Sequence, residues 1–292
     1  MDANLEDALA VFSDLRPRLF GIAYRMLGSA TEAEDIVQET WLRWQGTDRT
    51  VVQEPAAFLA TTTTRLAINA LQSARARRET YIGPWLPEPV DPSADPTLGA
   101  ERAEALGFAV LVMLERLTPT ERAAYVLREA FAYPYDQICE IVQVSEPAAR
   151  QLVSRARKHL AGERRREVSE AEQRRLLTAF LSAAQTGDLE ELEQLFAEDV
   201  VSYSDGGGMV RASKFPVVGR PTVAKFVRAF HTHFWDGVTV TDADLNAQPS
   251  VLLSKEGTTF AAVTVVAGSH GIDQVLWMMN PNKLAAVSHR AS

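Results

Sequence analysis

Pro84, Pro87, Pro89, Pro92 and Pro96 crowd one short stretch, between two segments whose apolar residues recur at helical spacing. Proline fixes φ and lacks an amide donor, so neither a helix nor a central strand runs through such a stretch. The helical part before it must end near Arg78, and residues from Gly83 onward form an extended, semi-rigid connector. Trp85 and Leu86 make that connector stickier than a plain spacer. A chain of 292 residues with this interruption predicts two or three domains. Its 46% hydrophobic content is enough to fill more than one core and excludes disorder as the main state.

Upstream, Phe12, Leu15, Leu19, Tyr24 and Leu27 lie close to a 3.6-residue period, predicting a buried helix face over Val11–Leu27 that stops at Gly28. Thr31-Glu32-Ala33-Glu34 reads as a capping box opening a second helix. Ala33, Val37, Trp41 and Trp44 form its stripe, and Asp35, Gln38, Glu39 and Arg43 lie on other faces. Residues 45–54 read as a loop, and Pro55 opens a third helix that reaches the basic cluster Arg75–Arg78. Thr61-Thr62-Thr63-Thr64-Arg65 within it could track a single strand of nucleic acid or fill small gaps in packing.

Downstream of the prolines, a helix is predicted over 101–117. Thr118-Pro119-Thr120-Glu121 is a second capping box, with Pro at the first helical position. A short helix over Tyr135–Val142 and a turn at Gln143-Val144-Ser145 lead into a basic amphipathic helix. Ala149, Leu152, Val153, Ala156 and Leu160 line its apolar side. Arg150, Gln151, Ser154, Arg155 and Lys158 line the other. This is the layout of a helix-turn-helix, whose second helix enters a major groove. The net charge of −8 argues against a free-standing nucleic-acid binder. An acidic protein with local basic helices fits DNA binding that a partner positions.

After a charged hinge over 163–172 the pattern changes. Helices are predicted at Ala171–Thr186, Leu189–Ala197 and Pro221–Phe234, then strands at Val238–Asp244, Val251–Leu253, Thr259–Ala267 and Gln274–Met279. Helices first and strands afterwards predict an α+β domain. Asp205-Gly206-Gly207-Gly208 lacks the Lys and Ser/Thr of a phosphate loop and reads as a sharp turn, as does Asn280-Pro281-Asn282-Lys283-Leu284. Trp235, Trp277, Met278 and Met279 could line a pocket or belong to a plain core. Tyr203, Asp205 and His289 could serve acid–base chemistry. His231 and His233 point apart on a helix and make a poor metal pair. No spacing of Cys and His resembles a zinc site, and neither a membrane span nor a signal peptide is evident. The single cysteine, Cys139, fits a reducing cytoplasm.

Two segments, Phe20–Gly28 and Ala33–Trp41, resemble region 2 of an extracytoplasmic-function (ECF) sigma factor, group IV of the sigma-70 family. Leu117–Glu129 with Ser154–Arg157 resembles region 4. The connector Tyr81-Ile-Gly-Pro-Trp-Leu-Pro-Glu-Pro89 resembles that of the SigJ-like subgroup, which carries a fused C-terminal SnoaL-like (NTF2-like) domain. Asp205–Gly208 and Asn280–Leu284 are similar to that subgroup's C-terminal motifs, with Asn282 where Asp is usual.

The resemblance implies a multidomain fold: two all-α sigma domains followed by an α+β SnoaL-like cone. Region 2 would span 1–80, the linker 81–105, the region 4 helix-turn-helix 106–165 and the SnoaL-like domain 166–292. The resemblance also implies that Arg150, Gln151, Ser154, Arg155 and Lys158 read the −35 promoter element, and that Arg65 and Asn69 handle the melted −10 strand. Arg65 stands where many ECF factors have Asn, and Pro134 replaces the usual Ser-like cap of the short helix. Asp35, Gln38 and Glu39 would dock on the β′ clamp helices of core RNA polymerase, and region 4 on the β flap. Trp85, Leu86, Pro87, Asp205, Gly206, Gly207, Gly208, Asn280, Pro281 and Lys283 would form the contact through which the C-terminal domain regulates the factor in cis. That domain would take the place of a separate anti-sigma factor and could accept a small-molecule ligand in its cone. No cofactor, metal, membrane or catalytic role is expected. The rival readings are a sigma factor fused to an active isomerase- or hydrolase-type domain, and a one- or two-component transcription factor that binds its operator without polymerase.

Overall fold

A computed structural model describes residues 3–91, 108–161 and 168–288. The chain divides into two compact units. One comprises Met1–Glu79 and Ser93–Glu163, the other Thr80–Pro92 and Arg164–Ser292. The connector is thus not free between them: its first half belongs with the C-terminal residues.

The first unit is helical. α1 (Ala3–Leu27), α2 (Ala30–Gly46) and α3 (Pro55–Glu79) pack together. α1 begins earlier than the apolar period predicts, because that period marks only its buried face: Phe12, Leu19, Tyr24 and Leu27 are buried and Leu15 half-buried. Gly28 ends it in the left-handed region, at φ 67°. The cap of α2 is Ser29, not Thr31: Ser29 Oγ accepts from Glu32 N. Both residues stand three before a Glu, and the reversal at Gly28 leaves Ser29 as the first extended residue, so it caps first. Thr63 and Thr64 are fully buried, and Thr63 shares a hydrogen bond with Thr40 on α2. Those two threonines therefore fill a close helix–helix contact and do not face a strand of nucleic acid.

In the same unit lie α4 (Phe108–Leu114), α5 (Pro119–Phe131), α6 (Tyr135–Val142) and α7 (Glu146–Ala161). The Thr118–Glu121 capping box is complete, with both reciprocal bonds present. Pro134 precedes α6 without a side-chain cap, and Gln143 makes the turn at φ 58°. Ala149, Val153, Ala156 and Leu160 face inward, as the apolar stripe predicts.

The second unit is α+β. α8 (Glu170–Thr186), α9 (Leu189–Leu195), α10 (Arg220–Arg228) and α11 (His231–Phe234) accompany a six-stranded sheet. Its strands are β1 (Phe196–Asp205), β2 (Val217–Val218), β3 (Val238–Leu245), β4 (Gln248–Lys255), β5 (Thr258–Gly268) and β6 (Gly271–Met278), in the order β2-β1-β6-β5-β4-β3. β1 lies between the helices and pairs in parallel with β6, so the predicted order of helices first and strands afterwards fails. Nor does the helix predicted over Leu189–Ala197 reach its end, since the chain becomes strand at Phe196. The helix predicted over Pro221–Phe234 is broken at Ala229–Phe230, where Phe230 N turns to Val227 O. Phe180, Phe196, Val263, Val275 and Trp277 lie at the centre of the core between helices and sheet. Asn280 opens a last helix, α12 (Pro281–Ser288), instead of a simple turn, with Asn280 Oδ1 accepting from Asn282 N.

Candidate functional site

The recognition face of α7 is built as the apolar stripe requires. With Ala149, Val153, Ala156 and Leu160 inward, Arg150, Gln151, Ser154, Arg155 and Lys158 are all exposed. Arg150 is held by Glu146 one turn earlier at 2.5 Å and lies 4.4 Å over the Tyr135 ring of α6. That tether links the two helices of the helix-turn-helix and limits the freedom of its first basic side chain.

On α2, Asp35 and Gln38 are exposed and Glu39 is half-buried, paired with Arg43 at 2.8 Å. These three share one surface on α2. Asn69 and Arg65 are both exposed on α3, but Arg65 is engaged. Its Nε donates to Ile141 O at 3.0 Å and its Nη2 to Glu140 O at 2.8 Å. Those carbonyls belong to the last turn of α6, where a helix leaves acceptors unsatisfied and favours a cation. Arg122, fully buried on α5, similarly donates to Arg25 O near the end of α1 and pairs with Glu115. Arg65 thus joins α3 to the helix-turn-helix, and Arg122 joins α5 to α1. The side chains of Arg75–Arg78 lie outside the described residues.

The second unit holds the denser cluster. Asp205 ends β1 fully buried. Its Oδ1 accepts from Tyr81 Oη at 2.5 Å, and its Oδ2 accepts from Leu86 N and from Lys283 Nζ, both at 2.8 Å. Lys283, buried on α12, also donates to Leu86 O and lies 4.1 Å over the Trp85 ring. Asn280 Nδ2 donates to Tyr81 Oη at 2.8 Å. Burial foremost, then the hydrogen bond and charge of Asp205, pushes the Tyr81 phenol well above its usual range, so it remains a donor. Leu86 is 1% exposed, and Pro87 is buried beside it. A few residues on, Val90 and Asn246 clasp each other: Asn246 N donates to Val90 O and Val90 N to Asn246 Oδ1.

The glycines are required by this packing. Gly207 sits at φ 59°, and a Cβ there would collide with Asn280 Nδ2. At Gly208, φ 72°, it would meet Ile82, and at Gly206 it would lie 2.8 Å from Val210 O. The tripeptide is therefore more than a turn: it lets connector and α12 close over the end of β1. Asp205 is engaged by the connector, so it is not free for acid–base chemistry. Tyr203 lies half-buried on β1, and His289 lies outside the described residues. The sequence leaves two participants unassigned. Tyr81 stands in plain view in the connector but carries no mark of its role. Asn246 has no signal beyond its place in a hairpin turn, where it sits at φ 53°.

Among the described residues there is no cluster of His, Cys, Asp and Glu suited to a metal ion, and no helix long and apolar enough to cross a membrane.

Comparison with known proteins agrees with this architecture. Residues 11–77 match the family described as Sigma-70 region 2, and residues 108–160 match Sigma-70, region 4. The ECF RNA polymerase sigma factor SigJ of Mycobacterium tuberculosis is 35% identical over 286 residues, covering 93% of this chain and 91% of that protein. A second M. tuberculosis protein, described as "Probable ECF RNA polymerase sigma factor SigI", is 32% identical over 241 residues, covering 73% of this chain and 82% of its own. The crystal structure of M. tuberculosis SigJ superposes with a TM-score of 0.76 at 30% identity, covering 95% of this chain and 98% of that one. Two helical sigma regions, the intervening connector and the α+β domain thus recur together along nearly the whole length, and the chain belongs to the ECF RNA polymerase sigma factors, in the SigJ-like group with a fused C-terminal α+β domain.

Proposed function

We propose that this sigma factor is regulated in cis by its C-terminal domain, which holds the first half of the linker and so withholds it from core polymerase. As an ECF sigma factor the chain directs transcription initiation and is not itself an enzyme. In the finer reading, Asp35, Gln38 and Glu39 dock on the β′ clamp helices, and region 4 engages the β flap. Arg150, Gln151, Ser154, Arg155 and Lys158 read the −35 element, and Arg65 with Asn69 takes the melted −10 strand. Exposure of the α7 face and of the α2 surface supports these roles. Arg65 must leave the α6 carbonyls before it can meet DNA, which supports a closed resting arrangement of the two sigma regions. The C-terminal domain does the work of a separate anti-sigma factor.

The observation that carries the regulatory reading is the three-way grip of Asp205, Lys283 and Asn280 on the connector at Tyr81 and Leu86. Run-off transcription at limiting factor tests it. Lys283→Met and Tyr81→Phe are expected to raise output from a cognate promoter, with Tyr81→Phe as the milder change. Output equal to wild type from both folded variants overturns the reading.

A further inference from the structure

Next to the linker grip, on the opposite face of the sheet, the second unit encloses a cavity of about 480 Å³. Phe226, Phe230, Phe234, Trp235, Trp277 and Met279 build its walls. The rings meet edge to face, Phe234 at 5.8 Å from Trp277 and 5.1 Å from Trp235. Such a wall favours a flat apolar body, whose faces and edges complement ring quadrupoles. The volume lies within the roughly 300–1,000 Å³ of small-molecule sites.

The polar part of the lining has one sign. Arg211 brings a guanidinium, Ser204 and Ser213 bring hydroxyls, and no carboxylate is among the lining residues. Arg211 is exposed and has no ion pair among the described residues. Trp277 is 8% exposed, and its ring forms part of the wall.

We infer that the cavity binds a flat aromatic carboxylate, its ring among the Phe and Trp side chains and its anion held by Arg211. The site deepens the in-cis reading and rests on it for its consequence, because its lining alternates with the grip. Along β1, Ser204 lines the cavity and the next residue, Asp205, holds the connector. Along β6 and beyond, Trp277 and Met279 line it, and Asn280 bonds Tyr81. Met279 N also donates to Asp205 O. A bound molecule therefore touches the same strand ends that hold the linker.

Binding is measured without transcription, so its failure and that of the regulatory reading are distinguishable. The full chain is titrated with the fluorescent probe anilinonaphthalene sulfonate, which is then displaced by naphthoate or by its uncharged methyl ester. Naphthoate is expected to displace the probe at least about tenfold better than the ester, as a charge-assisted contact implies. Arg211→Gln should abolish that preference. Phe230→Ala, which removes one ring of the wall, should weaken naphthoate about three- to tenfold. Variant folding is checked by circular dichroism. Displacement by the ester as good as by naphthoate, or naphthoate affinity unchanged in both folded variants, overturns the inference. If naphthoate binds as expected while the linker variants leave transcription unchanged, the site stands and the regulatory reading falls.

Discussion

Gly207 is the residue whose role is most sharply fixed by geometry. Its φ of 59° is one that a side chain adopts at a cost of about 1–2 kcal/mol. A Cβ would also displace Asn280 Nδ2, and with it a hydrogen bond to Tyr81 worth about 0.5–1.5 kcal/mol. Gly207→Ala is therefore expected to destabilise the C-terminal unit by about 2–3 kcal/mol, measured by urea unfolding; a loss under ~0.5 kcal/mol would contradict the assigned conformation. The spacing of the three glycines alone indicates a reversal of the chain, and only the resemblance implies that they meet the linker. What they pack against lies far along the chain, at Tyr81, Ile82 and Asn280, and no local pattern encodes that approach. Lys283 illustrates the same limit. The resemblance implies that it joins the linker contact, but only the fold shows it buried between Asp205 and Leu86.

At the scale of elements, legibility follows how local the determining interactions are. Thr118 and Glu121 cap α5 through neighbours three residues apart, and the capping box is present as the sequence predicts. Thr118→Ala is expected to cost about 1 kcal/mol, read as a lowered unfolding midpoint of the first unit. Thr120→Ala, in the first turn of the same helix, is the control: it removes a hydroxyl outside the capping box and should change stability by less than ~0.5 kcal/mol. Equal losses from the two would mean that the cap contributes nothing of its own. β1 fails the same test of locality. It carries Glu198 and Asp199 mid-strand, its register shifts between Phe196 and Val201, and its principal partner is β6, the last strand along the chain. Burial along it alternates only from Val200 onward. The period-2 signal is thus short, and a helical run from Leu189 leads straight into it. Strands β3 to β6 are legible because each pairs with its sequence neighbour through a tight turn.

For the whole molecule, on the proposed in-cis regulation, the connector is the part whose state would distinguish a held from a released factor. The prolines predict an extended segment, but extended does not mean free: Trp85 and Leu86, the residues that make it sticky, are the ones the C-terminal unit covers or contacts. Proteolysis reads this directly. A protease needs several residues drawn out of their contacts, and when opening is fast the cleavage rate follows the open fraction. Chymotrypsin cutting after Tyr81 or Trp85, located by mass spectrometry, should therefore be slow in the full chain. Tyr81→Phe removes two hydrogen bonds, to Asp205 and from Asn280, each worth about 0.5–1.5 kcal/mol, and should speed cutting after Trp85 at least about fivefold. Lys283→Met removes the contacts to Leu86 O and to Trp85 and leaves Asp205 buried without its cation. Breaking a buried pair costs about 3–5 kcal/mol. Release of the connector relieves part of that cost by admitting water to Asp205, so the variant should be cut at least about tenfold faster than wild type. Cutting at sites in the first unit should be unaffected. Equal rates at Trp85 in wild type and both variants would mean that the connector is already loose in solution, and the grip of Asp205 and Lys283 would then have no hold on the linker that polymerase could compete for.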